Sequence, residues 1–355
     1  MTQRKALVAM SGGVDSSVAL FLTKKAGFSC MGAYMQMCSR ALLGREPNDD
    51  ASDAKAIAQK LDTPFTLLDG KDAFTAHVAE HFVAAYEAGL TPNPCYQCNK
   101  TIKFGLLLHL ALEMGYDTLV TGHYARVEQD PATGRFLLKK ALDENKDQSY
   151  FLAGLNQQQL AHVRLPLGEL TKEQVRQIAQ AQGFINARKR DSQDICFIPD
   201  GDHIAFMERY RGATYPEGDY LDLQGHVIGR HKGAAGYTIG QRKGLGIALG
   251  APAYVCAKDM ENNTVTLGPN EALFRTALRA DNWSWFPFPA LTEPIRVLAK
   301  VRYRHTPQWA TVYPEPDGFA RVIFDEPQRA ITTGQAVVLY EGNTVIGGGT
   351  ITEIL

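Results

Sequence analysis

The sequence predicts an α/β protein: an amino-terminal domain built on a doubly wound parallel sheet, then a small β-rich central domain and a carboxyl-terminal β-barrel. Short apolar runs alternate with segments of helical length through the amino-terminal half, the pattern of a parallel sheet with crossover helices. A glycine-rich turn joins the first apolar run to the first helical segment. From Gly218 onward, short β-type runs with glycine turns replace the helical patterns, as in small sheets and barrels.

The elements of the amino-terminal domain follow in a regular order. Apolar runs predict four strands, at 6–10, 30–35, 64–68 and 118–121. The spacing of apolar residues predicts helices near 18–25, 53–61, 73–88, 100–114, 157–163 and 171–182. We expect segment 38–50 to be irregular and segment 126–139 to form a hairpin around Asp130–Gly134. We place this domain at residues 1–204.

The rest of the chain is predicted to form two β-rich domains, at residues 205–271 and 272–355. A small helix near 203–210 leads into the first of them. In the second, strands are predicted near 296–301, 310–313, 320–324 and 336–340. Many short strands at regular spacing indicate a small barrel.

Composition limits the class of protein. The chain has 355 residues, of which 45% are hydrophobic and 21% charged, so two or three globular domains are expected. The net charge is −1, and any nucleic-acid binding must therefore come from local patches. No apolar run is long enough to span a membrane, and the amino terminus enters a strand without a signal-like segment. We therefore expect a cytoplasmic protein whose six cysteines are thiols, catalytic groups or metal ligands.

The segment Ser11–Ser17, with the sequence Ser-Gly-Gly-Val-Asp-Ser-Ser, is predicted to bind phosphate. Its two glycines let backbone N–H groups approach an anion, and the following helix adds the positive end of its dipole. The segment lacks the Gly-Lys-Ser/Thr ending of the P-loop, and it is not a Gly-x-Gly-x-x-Gly turn. The alternative interpretation is a strand-to-helix turn without a ligand.

The cysteines offer a second candidate chemistry. Cys95 and Cys98 form a Cys-x-x-Cys pair that we expect on a proline-rich loop before a helix. The helix N-terminus, Lys100 and Lys103 would lower a thiol pKa there. Cys98 and Cys196 are the candidate reactive thiols.

Other interpretations of the cysteines stay open. A structural zinc site would need a second close pair, which the sequence lacks. Burial as small apolar side chains is an alternative for Cys95 and Cys196, and it is the favoured interpretation for Cys30 and Cys256. A [4Fe–4S] cluster on Cys95, Cys98 and Cys196, with one open iron, is also compatible with the sequence.

Two acid-free stretches are candidate RNA-binding patches. One runs over 225–258 and the other from Arg296 to His305, where Tyr303 stands among cations. Cations suit phosphates, and an exposed tyrosine can stack on a base. The alternative is a solvated strand face.

Several longer motifs bear on identity, namely Ser-Gly-Gly-Val-Asp-Ser-Ser, Thr-Pro-Asn-Pro-x-x-x-Cys-Asn-Lys, Ile-Lys-Phe, Thr-Gly-His-Tyr, Lys-Asp-Gln-Ser-Tyr-Phe-Leu, Asp-Ser-Gln-Asp-Ile-Cys-Phe, Gly-Gln-Arg-Lys-Gly-Leu-Gly and Arg-Tyr-Arg. Together they resemble the bacterial tRNA-specific 2-thiouridylases of the ATP pyrophosphatase (PP-loop) superfamily. The likeness extends from about Leu7 to Gly349. It implies an adenine nucleotide α-hydrolase-like fold for the first domain.

The resemblance also implies an activity. ATP, with Mg²⁺, would be cleaved to AMP and pyrophosphate, and sulfur would replace O2 of the wobble uridine (position 34) in tRNAs for Lys, Glu and Gln. An upstream carrier would supply persulfide sulfur. Cys98 would be the nucleophile, Cys196 would carry the persulfide, and a Cys98–Cys196 disulfide would follow one turnover.

The resemblance implies site residues as well. Those expected to contact ATP are Ala9, Met10, Ser11, Gly12, Gly13, Val14, Asp15, Ser16, Met35 and Gly122. Those expected to contact tRNA are Asn93, Pro94, Cys95, His123, Lys146, Asp147, Gln148, Arg302, Tyr303 and Gln335. Cys95 departs from the pattern, because many members have an aspartate there. That substitution leaves an acidic role at this position in doubt and adds a third thiol.

Two rival functions are compatible with parts of the sequence. Another ATP pyrophosphatase, such as an amide-forming synthetase, would use the same loop on a small substrate and would not need the cysteines. An RNA-binding sulfur carrier would keep the cysteines and would not need Ser11–Ser17.

Overall fold

A five-stranded parallel sheet forms the centre of the amino-terminal part. The computed structural model describes residues 4–46, 49–189 and 195–355. The strands are β1 (Lys5–Ala9), β2 (Ser29–Gln36), β3 (Phe65–Asp69), β4 (Thr118–Val120) and β7 (Val163–Arg164), in the order β3-β2-β1-β4-β7. Every neighbouring pair is parallel, which confirms the predicted sheet. Strand order reverses beside β1, so the segments after β1 and β4 meet at the edge where such sheets bind ligands.

Helices cover both faces of this sheet. They are α1 (Val14–Lys25), α2 (Arg40–Leu43), α3 (Asp50–Lys60), α4 (Lys71–Phe74), α5 (Glu80–Glu87), α6 (Pro94–Cys98), α7 (Leu107–Glu113), α8 (Ser149–Leu152), α9 (Gln157–Ala161) and α10 (Lys172–Ala181). π-helical turns over Thr75–Ala79 and Asn99–Leu106 join α4 to α5 and α6 to α7. The prediction that 38–50 is irregular was wrong for α2, whose first turn is capped by the Ser39 side chain.

The Cys-x-x-Cys pair lies in a helix rather than on the predicted extended loop. Pro94 occupies the first turn of α6, where a missing N–H costs nothing. The Asn93 side chain caps the helix by accepting a hydrogen bond from the Tyr96 N–H at 3.1 Å. The two prolines were therefore interpreted correctly as rigid, but the second of them starts a helix.

The middle of the chain forms a separate four-stranded sheet. After α11 (His203–Arg211), the strands are β8 (Gly218–Leu221), β9 (Val227–His231), β10 (Tyr254–Asp259) and β11 (Thr264–Gly268), in the order β10-β11-β8-β9. Tyr220, Val255 and Val265 are fully buried in its apolar cluster.

The carboxyl-terminal strands close into the predicted barrel. They are β12 (Phe274–Trp285), β13 (Ile295–Lys300), β14 (Gln308–Pro314), β15 (Ala320–Arg329), β16 (Ala336–Glu341) and β17 (Thr344–Ile354). Pairing of β12 with both β15 and β17 closes a six-stranded ring. The first and last of these strands were not predicted.

The barrel packs closely against the amino-terminal part. A hairpin of that part, β5 (Arg126–Gln129) and β6 (Phe136–Lys139), extends the barrel sheet where Lys139 pairs with Thr344. A Cβ on Gly348 would lie 2.6 Å from the Ala153 carbonyl oxygen, so glycine permits this approach. One apolar cluster runs from the parallel sheet to the barrel. The domain boundaries themselves remain a prediction.

No helix in the described part of the chain has the length and apolar character needed to cross a membrane.

Lys258 of β10 is predicted to reduce the stability of the fold. Its ammonium is buried 5.5 Å from the centre of the Tyr86 ring, and no hydrogen-bond partner is found for it among the described residues. Burial lowers the pKa of Lys258 from 10.5 to about 8. The unfolded chain therefore binds this proton more tightly between those values, so the destabilisation is complete below about pH 8 and disappears above 10.5.

We expect Lys258→Met to raise the free energy of unfolding at pH 7 by about 1–3 kcal/mol. Urea denaturation at pH 7 and at pH 10 measures this increase in the free energy of unfolding, and the increase should be smaller at pH 10. The matched control is Lys232→Met, since Lys232 is exposed in the same sheet region. A Lys258→Met chain no more stable than the parent would contradict the assignment.

Candidate active site

The glycine-rich loop follows β1 and turns directly into α1. The Met10 N–H donates to the Ala33 carbonyl of β2 at 2.8 Å, and the Ser11 N–H donates to Ser16 Oγ at 3.1 Å. Gly12 has φ +72°, and a Cβ there would lie 2.3 Å from the Asp50 carbonyl oxygen. Only glycine fits this position, because the backbone conformation and the approach to Asp50 both exclude a side chain.

Two residues from the end of the amino-terminal domain hold the loop in place. The Asn186 side-chain amide donates to the Gly12 carbonyl at 3.0 Å and to Ser17 Oγ at 2.9 Å. Lys189 Nζ lies 2.7 Å from both the Asp50 and the Asp53 carboxylates and 3.3 Å from the Gly12 carbonyl. Neither Asn186 nor Lys189 was predicted.

Asp15 is the charged residue of the loop, and its carboxylate accepts hydrogen bonds from two other side chains. Lys172 Nζ lies 2.8 Å from each Asp15 carboxylate oxygen, and the Tyr124 hydroxyl donates to one of them at 2.9 Å. Lys172 is only 9% exposed. This lysine at the start of α10 brings a buried cation to a loop whose predicted ligand is anionic, and sequence reasoning missed it.

The other residues predicted to contact ATP surround the same edge. A Cβ on Gly122, after β4, would lie 2.8 Å from the Asp15 carbonyl carbon and the Ser16 nitrogen, so glycine again permits a close backbone approach. Met35 is buried near the carboxyl end of β2. Ala9, Gly13 and Val14 belong to the β1–loop–α1 connection itself.

His123 follows Gly122 and is held as a neutral imidazole. Its Nδ1 shares a 2.7 Å hydrogen bond with the Thr121 hydroxyl. Desolvation, reinforced by the charge of Lys103, keeps the pKa of His123 well below its usual value. His123 therefore offers hydrogen-bonding capacity rather than charge.

Four thiols converge on one region beside this edge: Cys38, Cys95, Cys98 and Cys196. The pKa of each responds to at least one of the others. Cys95 and Cys196 are exposed, Cys38 is half-buried and Cys98 is buried. All four are free thiols. The sequence indicated Cys95, Cys98 and Cys196 as candidates but left Cys38 without a role.

The expected low thiol pKa at the Cys-x-x-Cys pair is wrong for this structure. Burial raises the pKa of Cys98 to about 12, and it raises that of Cys95 as well. Lys103 opposes both shifts, as predicted for a nearby cation, but desolvation is the larger effect. Cys95 exposes surface and is still desolvated, as happens to a side chain on the wall of a cleft. At neutral pH both thiols are protonated.

Cys38 and Cys196 shift each other's pKa in opposite directions. Interaction with Cys196 lowers the pKa of Cys38, whereas interaction with Cys38, together with burial, raises the pKa of Cys196 well above its usual value. Cys38 follows β2, just before the Ser39 cap of α2. Residues 191–194, which belong to the motif preceding Cys196, lie outside the described part of the chain.

A metal or cluster was a candidate occupant of the cysteines. Within residues 4–46, 49–189 and 195–355, no group of three His, Cys, Asp or Glu side chains has a geometry that could hold a metal ion. Cys95, Cys98 and Cys196 therefore do not form a metal-ion site within these residues.

Several residues predicted to contact tRNA form internal hydrogen bonds in this structure. Gln335 of the barrel donates to the Thr91 and Pro92 carbonyls at 3.0 and 3.1 Å. Arg302 donates to the Ile239 carbonyl at 2.9 Å and to the Thr332 hydroxyl at 2.6 Å. These contacts tie the barrel to the segment before Asn93 and to the loop between β9 and β10 that contains Ile239.

The remaining predicted tRNA contacts lie nearby. Asp147 accepts from the Ala141 N–H at 3.0 Å and from the Ser149 hydroxyl at 2.7 Å, and Gln148 accepts from the Tyr124 N–H at 2.9 Å. Tyr303 packs on Phe151 with ring centres 4.4 Å apart. Lys146 is half-buried on the same loop. These side chains therefore shape the loop that supports Tyr124 and, through it, Asp15.

Several cations of the two acid-free stretches are already paired or buried in the structure. Arg230 pairs with Asp219 at 2.9 Å and Arg296 with Asp325 at 2.6 Å, while the Lys258 amine is buried. Arg242, Lys243 and Arg304 are exposed. The candidate RNA-binding cations are therefore a subset of those counted in the sequence.

A parallel sheet whose first loop is built for phosphate, with a cluster of thiols at the same edge, defines a nucleotide-using enzyme with sulfur chemistry. The family model described as "tRNA methyl transferase HUP domain" matches residues 4–200. Those described as a "PRC-barrel domain" and an "Aminomethyltransferase beta-barrel domain" match residues 204–269 and 275–351. The chain belongs to the tRNA-specific 2-thiouridylase family.

Relatives are similar over nearly the whole length. The tRNA-specific 2-thiouridylase MnmA of Heliobacterium modesticaldum is 47% identical, covering 98% of this chain and 92% of the relative. That of Treponema denticola is 44% identical, covering 99% and 98%. Among solved structures, the U34-tRNA thiolase NcsA from Methanococcus maripaludis with its [4Fe-4S] cluster is 16% identical, covering 59% of this chain and 68% of that chain with a TM-score of 0.38. A likeness at that level carries no argument about this site.

Proposed function

We propose that this chain is an ATP-dependent tRNA-uridine 2-sulfurtransferase that thiolates the wobble uridine of tRNAs for Lys, Glu and Gln. One observation carries the proposal: the phosphate-type loop follows β1, and Cys38, whose pKa responds to Cys196 and Cys98, follows the neighbouring parallel strand β2. A small-substrate synthetase would not need the thiols, and a sulfur carrier without ATP would not need the loop. The description of the matching family model names a methyl transferase, but the thiols favour sulfur as the transferred group.

ATP would bind with its phosphates on Ser11–Ser16 and its nucleoside between Met35 and Gly122. Lys172 is the cation best placed to meet the phosphates, since it already holds the anionic Asp15 at the loop. On phosphate binding it would neutralise charge that develops on departing pyrophosphate. Asp15 has the carboxylate donors that Mg²⁺ prefers, and such an ion would add further neutralisation.

Adenylation solves the main chemical difficulty of the reaction. The C2 carbonyl oxygen of uracil is a poor leaving group, and attaching AMP to it creates a good one. A sulfur nucleophile from Cys196 can then add at C2 and expel AMP. The base would enter beside Asn93, Pro94 and Cys95, which is less costly from an anticodon loop than from a duplex.

Cys98 would serve as the second thiol of the relay that the family resemblance implies. Its pKa of about 12 means that it rests as a protonated thiol at neutral pH and must lose this proton before it attacks. A [4Fe–4S] cluster on Cys95, Cys98 and Cys196 is the second candidate sulfur carrier, because these thiols do converge. Within the described residues these thiols do not form a metal-ion site, and we derive no step through a cluster.

The remaining proposed contacts concern tRNA recognition. His123, Lys146, Asp147, Gln148, Arg302, Tyr303 and Gln335 would contact tRNA, several of them by exchanging internal hydrogen bonds. The chemistry also needs an upstream persulfide carrier and a dithiol reductant. We expect the reaction to take place in the cytoplasm, where its tRNA substrate is found.

The test is reconstitution of the reaction without oxygen. The purified chain is incubated with ATP, Mg²⁺, a persulfide donor and tRNA for Glu, and nucleosides are analysed by mass spectrometry while iron is measured in the same sample. We expect a uridine with sulfur in place of oxygen, tRNA-dependent AMP release, and product independent of iron. Product that scales with bound iron would favour the cluster, and no thiolated base would contradict the proposed function.

A further inference from the structure

We infer that the loop 143–148 couples tRNA binding to ATP binding, through two positioning residues, Tyr124 and Lys172, that both contact Asp15. The inference rests on the proposed function, because it takes this loop as a tRNA contact and Asp15 as part of the ATP site. Sequence reasoning assigned no role to Tyr124 or Lys172. Hydrogen bonds of the described residues connect the loop to Asp15 by two separate routes.

The first route runs through Tyr124, which follows β4. Gln148 holds its backbone on both sides: the Gln148 side chain accepts from the Tyr124 N–H at 2.9 Å, and the Gln148 N–H donates to the Tyr124 carbonyl at 2.8 Å. The Tyr124 hydroxyl donates to Asp15 at 2.9 Å. Tyr124 is only 2% exposed and belongs to the same apolar cluster as Val14 and Ala141. Because a packed ring moves as a rigid body, a shift of Gln148 is transmitted to the carboxylate.

The second route runs through Lys172, the first residue of α10. Asp143, at the start of the loop, accepts a hydrogen bond from the Lys172 N–H at 2.9 Å. The Lys172 ammonium lies 2.8 Å from each Asp15 carboxylate oxygen. The two routes begin at opposite ends of the loop and meet on one carboxylate. A contact that shifts the loop therefore acts on both of these groups that hold Asp15.

Internal hydrogen bonds allow the loop to move as one unit. The Lys146 N–H donates to the Asp143 carbonyl at 3.0 Å. Asp147 accepts from the Ala141 N–H at 3.0 Å and from the Ser149 N–H at 3.2 Å. A contact made by tRNA at Lys146 or Asp147 is therefore felt at both ends of the loop.

These hydrogen bonds determine the sign of the coupling. To contact tRNA, Gln148 has to exchange its bond with Tyr124, and to contact phosphate, Lys172 has to exchange its contacts with Asp15. Either exchange loosens the bonds that connect the loop to Asp15, so the ligand that binds first supplies the free energy for this rearrangement. The second ligand then meets a chain that is already rearranged. The two ligands therefore increase each other's affinity, and by the same factor.

The experiment measures this factor at equilibrium, without any reaction. The dissociation constant of α,β-methylene ATP, which cannot be cleaved to AMP, is measured by calorimetry for the reduced full chain, alone and saturated with unmodified tRNA for Glu. We expect tRNA to lower this constant at least about fivefold in the parent chain, and the reverse titration should give the same factor. Tyr124→Phe combined with Asp143→Ala should bring the factor close to one, because both routes are interrupted. Each single variant should give an intermediate factor.

Tyr220→Phe and Asp202→Ala provide the matched controls. Tyr220 is a buried tyrosine of the middle sheet whose hydroxyl donates to the Leu245 carbonyl at 2.7 Å. Asp202 accepts from the Ala205 N–H at 3.0 Å, at the start of α11. Both substitutions remove hydrogen bonds of the same kinds at places that do not connect the loop to Asp15, and both should keep the parental factor.

Three results would overturn the inference. They are a factor of one or less in the parent chain, the parental factor in the double variant, and loss of the factor in the controls. The factor is a ratio of two affinities of the same variant, so weaker binding of one ligand alone does not change it. A chain that thiolates tRNA without coupling would refute the inference alone. A chain that shows the coupling but never thiolates tRNA would refute the proposed function and support the coupling, and a chain that binds neither ligand would refute both.

Discussion

Cys196→Ser is expected to reduce tRNA thiolation by about a thousandfold or more, because a serine hydroxyl cannot carry a persulfide. ATP chemistry should survive, since Cys196 is not among the residues that form or hold the loop. The two activities are separated by measuring 2-thiouridine by mass spectrometry and tRNA-dependent pyrophosphate release in the same reaction, because adenylation releases pyrophosphate before sulfur is needed. Serine preserves the size and hydrogen-bonding capacity of the side chain.

Cys256→Ser provides the matched control for this variant. Cys256 is a half-buried thiol of the middle sheet, where its S–H donates to the Tyr254 carbonyl. Its replacement should leave thiolation within about twofold of the parent. An active Cys196→Ser enzyme would rule out the persulfide assignment, whatever the rest of the site does.

Asp15→Ala is expected to lower thiolation by about a hundredfold or more while tRNA binding is retained. The substitution removes the acceptor of two 2.8 Å contacts from Lys172 and of the Tyr124 hydroxyl. It therefore removes two close contacts from a buried cation and disturbs the loop where phosphate would bind. Thiolation rates at saturating tRNA and filter binding of tRNA measure the two effects separately.

Asp222→Asn serves as the control for the loss of a carboxylate. Asp222 pairs with His226 at the surface of the middle sheet, and that exposed pair contributes little to stability. Lys172→Met should resemble Asp15→Ala if the pair acts as a unit. Full thiolation activity in Asp15→Ala would refute the ATP mechanism.

The fold was predictable where local pattern determines the structure. The first four strands of the parallel sheet, the hairpin 126–139 and the barrel strands near 296–340 all have apolar runs bounded by turn residues. Strand β7 was missed because only two residues pair. Strand β17 was missed because Gly347–Gly349 breaks its apolar pattern, and the structure shows why: Cβ atoms there would meet Trp285, Ala153 and Trp283.

The site was predictable only in part. The phosphate-type loop and Gly122 could be predicted from short motifs, because their function depends on local backbone geometry. Lys172 stands 157 residues from Asp15, and Lys189 stands 139 residues from Asp50. Contacts between residues so far apart in the sequence produce no local residue pattern from which they could be predicted. The raised pKa of Cys98 could not be predicted for the same reason. Burial, its main cause, depends on the packing of the whole domain, whereas the sequence shows only the nearby cations Lys100 and Lys103.

The shared sheet between the hairpin and the barrel has a consequence for how the chain could be divided. A chain cut after residue 271 would leave the β6 edge without its β17 neighbour and would expose the apolar side chains that now meet the barrel. Unpaired strand edges and exposed apolar surface both promote association with other chains. The barrel is thus an integral wall of the enzyme, and a shortened chain without it should aggregate rather than survive as a minimal catalyst.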